Sequence, residues 1–211
     1  MAREIDSKCS LCRRAGEKLF LKGERCLTSK CAMVRRPYPP GAHGQSRGKA
    51  PSEFGRQLAM KQKIKRTYGV LERQFRNHFR EVESKEGVTG DMLLSRLEKR
   101  LDNVVYRLGL ATSRAQARQL VSHGFFALNG KKTDIPSARI SVGDVITLRL
   151  EKMEKKYLLG LKELRKNSQV KVPEWLVLDE KKWQGTMLSE PTRDHIEGDL
   201  NPQLVVEFYS K

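Results

Sequence analysis

Apolar and polar positions along this chain recur with two different periods. From Ser52 the pattern is helical. Across residues 71–82, Leu71, Phe75, Phe79 and Val82 recur at i, i+4, i+8 and i+11, which at about 100° per residue gathers them on one side of a helix. Arg73, Arg76 and Arg80 fall within about 60° of one another on the other side. The spacing predicts a helix with a packing face and an arginine face. The same division recurs over 91–108, read as one helix. There Leu94, Leu97, Leu101, Val104, Val105 and Leu108 make the apolar stripe, and Arg96, Arg100 and Arg107 cluster within about 40°. A further helix is predicted over 112–121, with Ser113 and Gln116 as a capping box and Arg114 and Arg118 on one face. Gly124 ends it and the period drops to two. Phe125 to Leu128 reads as a short strand, Asn129-Gly130 as a hairpin turn, and Lys131-Lys132 as the return. After a Gly143-Asp144 turn, Ile146, Leu148 and Leu150 alternate as another strand.

The segment from Arg35 to Pro51 follows neither period. It holds four of the eight prolines and three glycines. Proline fixes φ and offers no N–H, so this stretch is expected to be extended. Its basic residues Arg35, Arg36, Arg47 and Lys49 favour an arm lying on RNA over a plain linker.

Charge sharpens the picture. The chain has 211 residues and a formal net charge of +17, with 42 Lys plus Arg against 25 Asp plus Glu. Residues 1–169 carry +20 and residues 170–211 carry −3. A positive excess spread through helical and strand-forming segments is the footprint of a polyanion binder. Solubility alone needs a net charge of only about 2–8 in a small domain. No apolar run approaches the roughly 20 residues of a membrane-spanning helix, and no apolar stretch of about 7–15 residues follows the N-terminus as in a secretory signal. A cytoplasmic protein is expected.

All four cysteines, Cys9, Cys12, Cys26 and Cys31, lie in the first 31 residues, spaced C-x2-C and C-x4-C. In a reducing compartment disulfides are disfavoured, whereas two close thiolate pairs can take the corners of a tetrahedron around one zinc ion. A [4Fe-4S] cluster suits the same four ligands. Four protein ligands leave no open position, so the site reads as structural. Arg13 and Arg14 stand beside it, as do five other cations, suggesting a basic knob held against phosphates.

The run from Arg100 to Ile146, RLDNVVYRLGLATSRAQARQLVSHGFFALNGKKTDIPSARISVGDVI, resembles the small helix-and-hairpin RNA-binding module shared by a ribosomal protein, some pseudouridine synthases, tyrosyl-tRNA synthetases and a heat-shock protein. YGVLERQFRNHFRE upstream, the PGAHG loop, the N-terminal cysteines and the closing LVVEFYSK extend the likeness over the whole chain, to the bacterial family of small-subunit ribosomal protein four. The resemblance implies an α+β architecture. A mainly helical domain built from 46–98 and 166–211 carries an inserted module at 99–165, and 1–45 form an N-terminal extension with the four-cysteine metal site and basic loop. It implies a non-enzymatic constituent of the small ribosomal subunit. Such a protein is a primary binder of the 5′ domain of 16S rRNA at a multi-helix junction and nucleates 30S assembly. It also implies contact with ribosomal protein five, through the acidic C-terminal segment, at an interface that influences decoding accuracy. By position, Arg100, Ser113, Arg114, Arg118, His123, Lys131 and Lys132 match the module's RNA-facing pattern. Arg47 and Lys49 match basic loop residues that the family places close to mRNA where it enters the subunit. Some relatives lack the cysteines; here the quartet is complete.

Two rival functions meet difficulties in the residues. An RNA-modifying enzyme or tRNA-binding factor would append this module to a further domain, yet little over 100 residues remain, split in two, with no pocket motif and no paired acid and base. A zinc-dependent DNA-binding regulator would put a base-reading helix beside the metal and dimerise, and neither feature is legible. No membrane and no small-molecule substrate are expected. Trp175, Trp183 and the apolar residues of 204–209 are expected to form core and closure of the helical domain.

Overall fold

The computed structural model describes residues 6–46, 50–149, 151, 160, 163, 172–196 and 198–210. The expected module limit at 165 lies outside them, as do Arg47 and Lys49. The chain divides into two compact units, Met1–Leu94 with Glu197–Lys211, and Ser95–Ile196. Among the described residues no helix is long and apolar enough to cross a membrane.

The first unit is helical. It contains α1 (Lys8–Ala15), α2 (Ala32–Arg35), α3 (Glu53–Tyr68), α4 (Glu72–Glu83), most of α5 (Thr89–Glu98) and, at the far end of the chain, α8 (Gln203–Tyr209). Ser52 caps α3 by accepting the Gly55 N–H, which satisfies one of the helix's orphan donors. Gly69 ends the helix with φ at +63°, a conformation that costs residues with a side chain. The predicted division of α4 is present: Phe75, Phe79 and Val82 are buried while Arg73, Arg76 and Arg80 are exposed.

Polar groups lock α8, distant in sequence, to α3 and α4. Lys61, buried on α3, donates to Glu72 at 2.7 Å, and Lys65 and the Tyr209 hydroxyl donate to the same carboxylate. The Lys61 ammonium also lies 4.6 Å from the centre of the Phe208 ring, a cation–π contact. Burial by itself would raise the Glu72 carboxyl, but the hydrogen bonds from Lys61, Tyr209 and Lys65 outweigh it and hold the group below its ordinary value. The Tyr209 hydroxyl is pushed up by burial and by the carboxylate it faces. A carboxyl whose pKa falls on folding stabilises the native state above its unfolded value, and that contribution disappears as pH drops through the folded value. The helical unit should therefore lose stability on acidification below about pH 4.5. Glu72→Gln should flatten that dependence; urea melts of helical circular dichroism against pH check it.

In the second unit, helices pack on one sheet. The unit contains α6 (Leu101–Arg107), α7 (Arg114–Ser122), β1 (Phe126–Leu128), β2 (Lys131–Thr133), β3 (Val145–Leu148), β4 (Leu176–Asp179) and β5 (Gln184–Met187). The strands form an antiparallel sheet in the order β2-β1-β3-β5-β4. The predicted hairpin is present. Phe126 pairs with Thr133 and Leu128 with Lys131, and Asn129 and Gly130 both take positive φ, +49° and +79°, as a two-residue turn requires. Ser113 caps α7 as expected, accepting the Gln116 N–H. The reciprocal half of the box differs, because the Gln116 carboxamide oxygen accepts from the backbone and hydroxyl of Thr112 instead.

The apolar core of this unit is drawn from α6, α7 and all the strands but β2. Trp175 and Trp183 belong to it, together with Leu176 and Met187. The two tryptophans, expected in the core of the helical domain, instead stand next to β4 and β5, the two strands that extend the module's sheet. Gly185 on β5 leaves room for the side chain at the C-cap of α6: a Cβ there would lie 2.4 Å from Leu108 Cδ1.

The helix expected over 91–108 is two helices, α5 and α6, broken at Lys99 and Arg100. At the break the backbone turns to a neighbour. Ile140 N donates to Lys99 O, Leu101 N to Ala138 O and Asp102 N to Pro136 O. Helical i→i−4 bonding is replaced there by pairing with a segment some 40 residues downstream, which periodicity cannot register.

Candidate RNA interface and cysteine pocket

The cationic residues read from the sequence separate into exposed and structural sets. On α4, Arg73, Arg76 and Arg80 point to solvent. Arg14, Arg35 and Arg36 are exposed around the N-terminal segment. Lys131 and Lys132 are exposed on β2, and His123 at the C-cap of α7. These side chains are open to a phosphate or base, Arg76 while also bonding the Tyr209 hydroxyl.

The second arginine stripe is corrected. Arg96, Arg100 and Arg107 are each at most 6% exposed, so they turn inward and present no face to RNA. Burial of a guanidinium requires a countercharge. Glu98, 1% exposed, supplies it to Arg107, accepting from Nε at 3.0 Å and Nη2 at 2.8 Å. The same carboxylate accepts from Asn103 Nδ2 at 2.6 Å. Asp102 takes Arg100 in a two-point pair at 3.1 and 2.9 Å.

Arg114 and Arg118 lie between the two sets. Arg114 Nε donates to Asn103 Oδ1 at 2.7 Å, and its guanidinium sits 4.6 Å from the Tyr106 ring centre. Arg118 Nη1 donates to Asp102 Oδ2 at 3.1 Å. Consecutive residues of α6 thus hold both α7 arginines, each part-buried. Ser113 is buried and occupied as the helix cap. Arg13 is likewise structural: it donates to the carbonyls of Tyr38 and Pro39 and stacks on the Tyr38 ring at 4.8 Å. It ties α1 to the start of the proline-rich segment.

The four cysteines line one pocket together with Lys8, Leu21, Lys22, Arg25, Ala32 and Met33. Cys9 and Cys12 come from α1, Cys26 from the single helical turn Gly23–Cys26, and Cys31 from the N-cap of α2. None is in a disulfide. Lys22 N donates to Cys26 Sγ at 3.3 Å. Burial pushes the Cys12 thiol up, the Leu19 backbone hydrogen bond opposes this, and the three neighbouring cysteines push it further up. Among the described residues no three His, Cys, Asp or Glu side chains are drawn together to metal-holding spacing.

Sequence reasoning missed the carboxylates and amide that fix the arginines, namely Glu98, Asp102 and Asn103. The signal was present in Glu98–Arg107 and Asp102–Arg118, opposite charges held near one another only once the helices turn.

Comparison with known proteins follows this division. Residues 3–98 match the family described as ribosomal protein S4/S9 N-terminal domain, and residues 99–146 match the S4 domain. The chain is 53% identical over 212 residues to small ribosomal subunit protein uS4 of Syntrophomonas wolfei, each chain covered completely. It is 52% identical over 215 residues to the uS4 of Thermus thermophilus and 49% over 213 residues to that of Solidesulfovibrio magneticus, again with both chains fully covered.

Proposed function

We propose, from the premise that this chain belongs to the small ribosomal subunit protein uS4 family, that it is a structural constituent of the small subunit that binds rRNA. The observation that carries this reading is the family match along the whole chain, with an S4 domain at its centre. It is a ribosomal protein rather than the rival RNA-modifying enzyme. Its target is the 5′ domain of 16S rRNA, where several helices meet. The exposed arginines of α4 and the lysines of β2 belong to different units, so one molecule offers cations to separate strands. Neutralising phosphates at a junction lets rRNA helices pack, and early binding of this kind nucleates 30S assembly. The acidic C-terminal stretch suits a basic neighbour and is assigned to ribosomal protein five, with its effect on decoding accuracy. Arg47 and Lys49 are assigned to mRNA near its point of entrance.

The cysteine pocket is assigned one structural Zn2+, with a [4Fe-4S] cluster as the alternative on the same ligands. The donor set supports a metal of this class: four sulfurs on one pocket, with backbone N–H groups bonded to Cys12 and Cys26. Four thiolates around a divalent ion leave a charge of about −2, and Lys8, Lys22 and Arg25 line the pocket to offset it. The ion would supply folding free energy to a segment with few apolar residues.

Binding of the full-length protein to a 16S 5′-domain fragment tests the reading. Affinity should fall roughly tenfold between about 100 and 200 mM monovalent salt if about four phosphates are neutralised. Salt-independent affinity would refute it. Chemical footprints confined to the helices of one junction would support the assigned target.

A further inference from the structure

We propose that the turn at Gly124 is a subsite for one unpaired nucleotide, whose base stacks on the His123 and Phe125 rings while its phosphate lies against Lys132 and Arg149. This deepens the rRNA reading above and rests on it.

Gly124 sits between the two rings with φ at +72°. The backbone on either side is pinned: His123 N donates to Gln119 O, Gly124 N to Val121 O, Phe125 N to Leu120 O, and Arg149 N to Phe125 O. The ring positions are therefore set by the fold. Their centroids are 6.4 Å apart and their planes differ by 23°. His123 is exposed, and Phe125 is half-buried against the core, which backs the ring pair.

Two cations converge on the same glycine. A Cβ at Gly124 would fall 2.8 Å from Lys132 Cε and 3.8 Å from its Nζ, so the lysine stem crosses the glycine that separates the two ring-bearing residues. Arg149 Nη1 donates to Gly124 O at 3.4 Å. Its Nη2 lies 3.7 Å from Glu151, whose side chain is 86% exposed. An ion pair so open to water contributes little and yields readily to a phosphate.

A phosphate alone gains nothing from an aromatic face. A flat ring carrying its own phosphate matches both halves of the arrangement, and this is how unpaired nucleotides are held. Duplex RNA keeps its base faces inside the stack, so the ligand is a nucleotide from a loop, bulge or junction strand.

The test uses the full-length protein and the 16S 5′-domain fragment. His123→Ala should weaken binding about five- to tenfold, since base–aromatic stacking is worth roughly 1–3 kcal/mol, and His123→Phe should restore it. Phe125→Leu keeps the apolar packing and should lose a similar factor. Both should leave the salt slope as in the wild type, because stacking releases no counterion, whereas Lys132→Ala should reduce that slope by about one. If His123→Phe binds as weakly as His123→Ala, or His123→Ala reduces the slope as Lys132→Ala does, the imidazole is a polar contact and stacking is overturned. If the alanine variants at 123 and 132 both bind like the wild type, RNA does not reach this turn and the subsite is overturned while rRNA binding stands. A wild-type protein that fails to bind the fragment overturns the rRNA reading and the subsite with it.

Discussion

The Cys9→Ser, Cys12→Ser double variant should lose ordered structure in residues 1–45 and keep the second unit folded. Structural zinc contributes on the order of 10 kcal/mol to small cysteine-ligated segments at neutral pH. The N-terminal segment has little to replace it. Among its described residues few apolar side chains are buried, Leu11 and Leu19 beside the cysteines themselves, and its ties to the rest of the first unit include the Glu17–Lys63 pair at 2.7 Å. Limited proteolysis should cut the variant within residues 1–45, whereas the wild type resists until a strong chelator is added. Metal analysis with an absorption spectrum identifies the ion, because zinc is colourless and an iron–sulfur cluster is brown. An unchanged cleavage pattern in the double variant would show that no metal organises this segment.

Glu98→Ala should destabilise the second unit by about 3–5 kcal/mol, the cost of removing one partner from a buried ion pair. The carboxylate is 1% exposed and neutralises a guanidinium that is 4% exposed, so its removal leaves a buried charge without its countercharge. Asn103 would lose a bond as well, and through Asn103 the hold on Arg114 would loosen. Replacing both Glu98 and Arg107 with apolar residues of similar volume should recover most of the loss, since the damage comes from the unpaired charge more than from the missing attraction. The chain's two tryptophans, Trp175 and Trp183, both lie in this unit's core. Urea melts followed by tryptophan fluorescence therefore report this unit directly. A midpoint for Glu98→Ala within about 1 kcal/mol of the wild type would mean that Arg107 finds another partner.

These two cases also mark what could be read from the sequence. The cysteine spacing is a local signal, and so are the Ser113 cap and the Asn129-Gly130 turn, because the residues that act are within a few positions of each other. The α4 faces were legible for the same reason: a regular helix fixes the direction of Phe75 and Arg76 alike. The arginines of 96–107 were not. An arginine stripe reads identically whether it meets solvent or a buried carboxylate, and the choice was made by a break at Lys99 whose hydrogen-bond partners sit at Pro136–Ile140. Strands β4 and β5 were missed because their partners are equally remote. β5 pairs with β3, so Val145 meets Thr186, and nothing near residue 186 announces it.

The split composition of the first unit bears on the order in which the molecule folds. Gln57 bonds Glu207 across 150 positions, and Glu72 bonds Tyr209 across 137. Contacts of such separation close only after the intervening chain is made, and their loop entropy slows them. During synthesis α3 and α4 emerge first yet wait with their α8-facing sides uncovered. The helices and hairpin of the second unit meanwhile find their partners nearby, so the unit begun first is the one completed last.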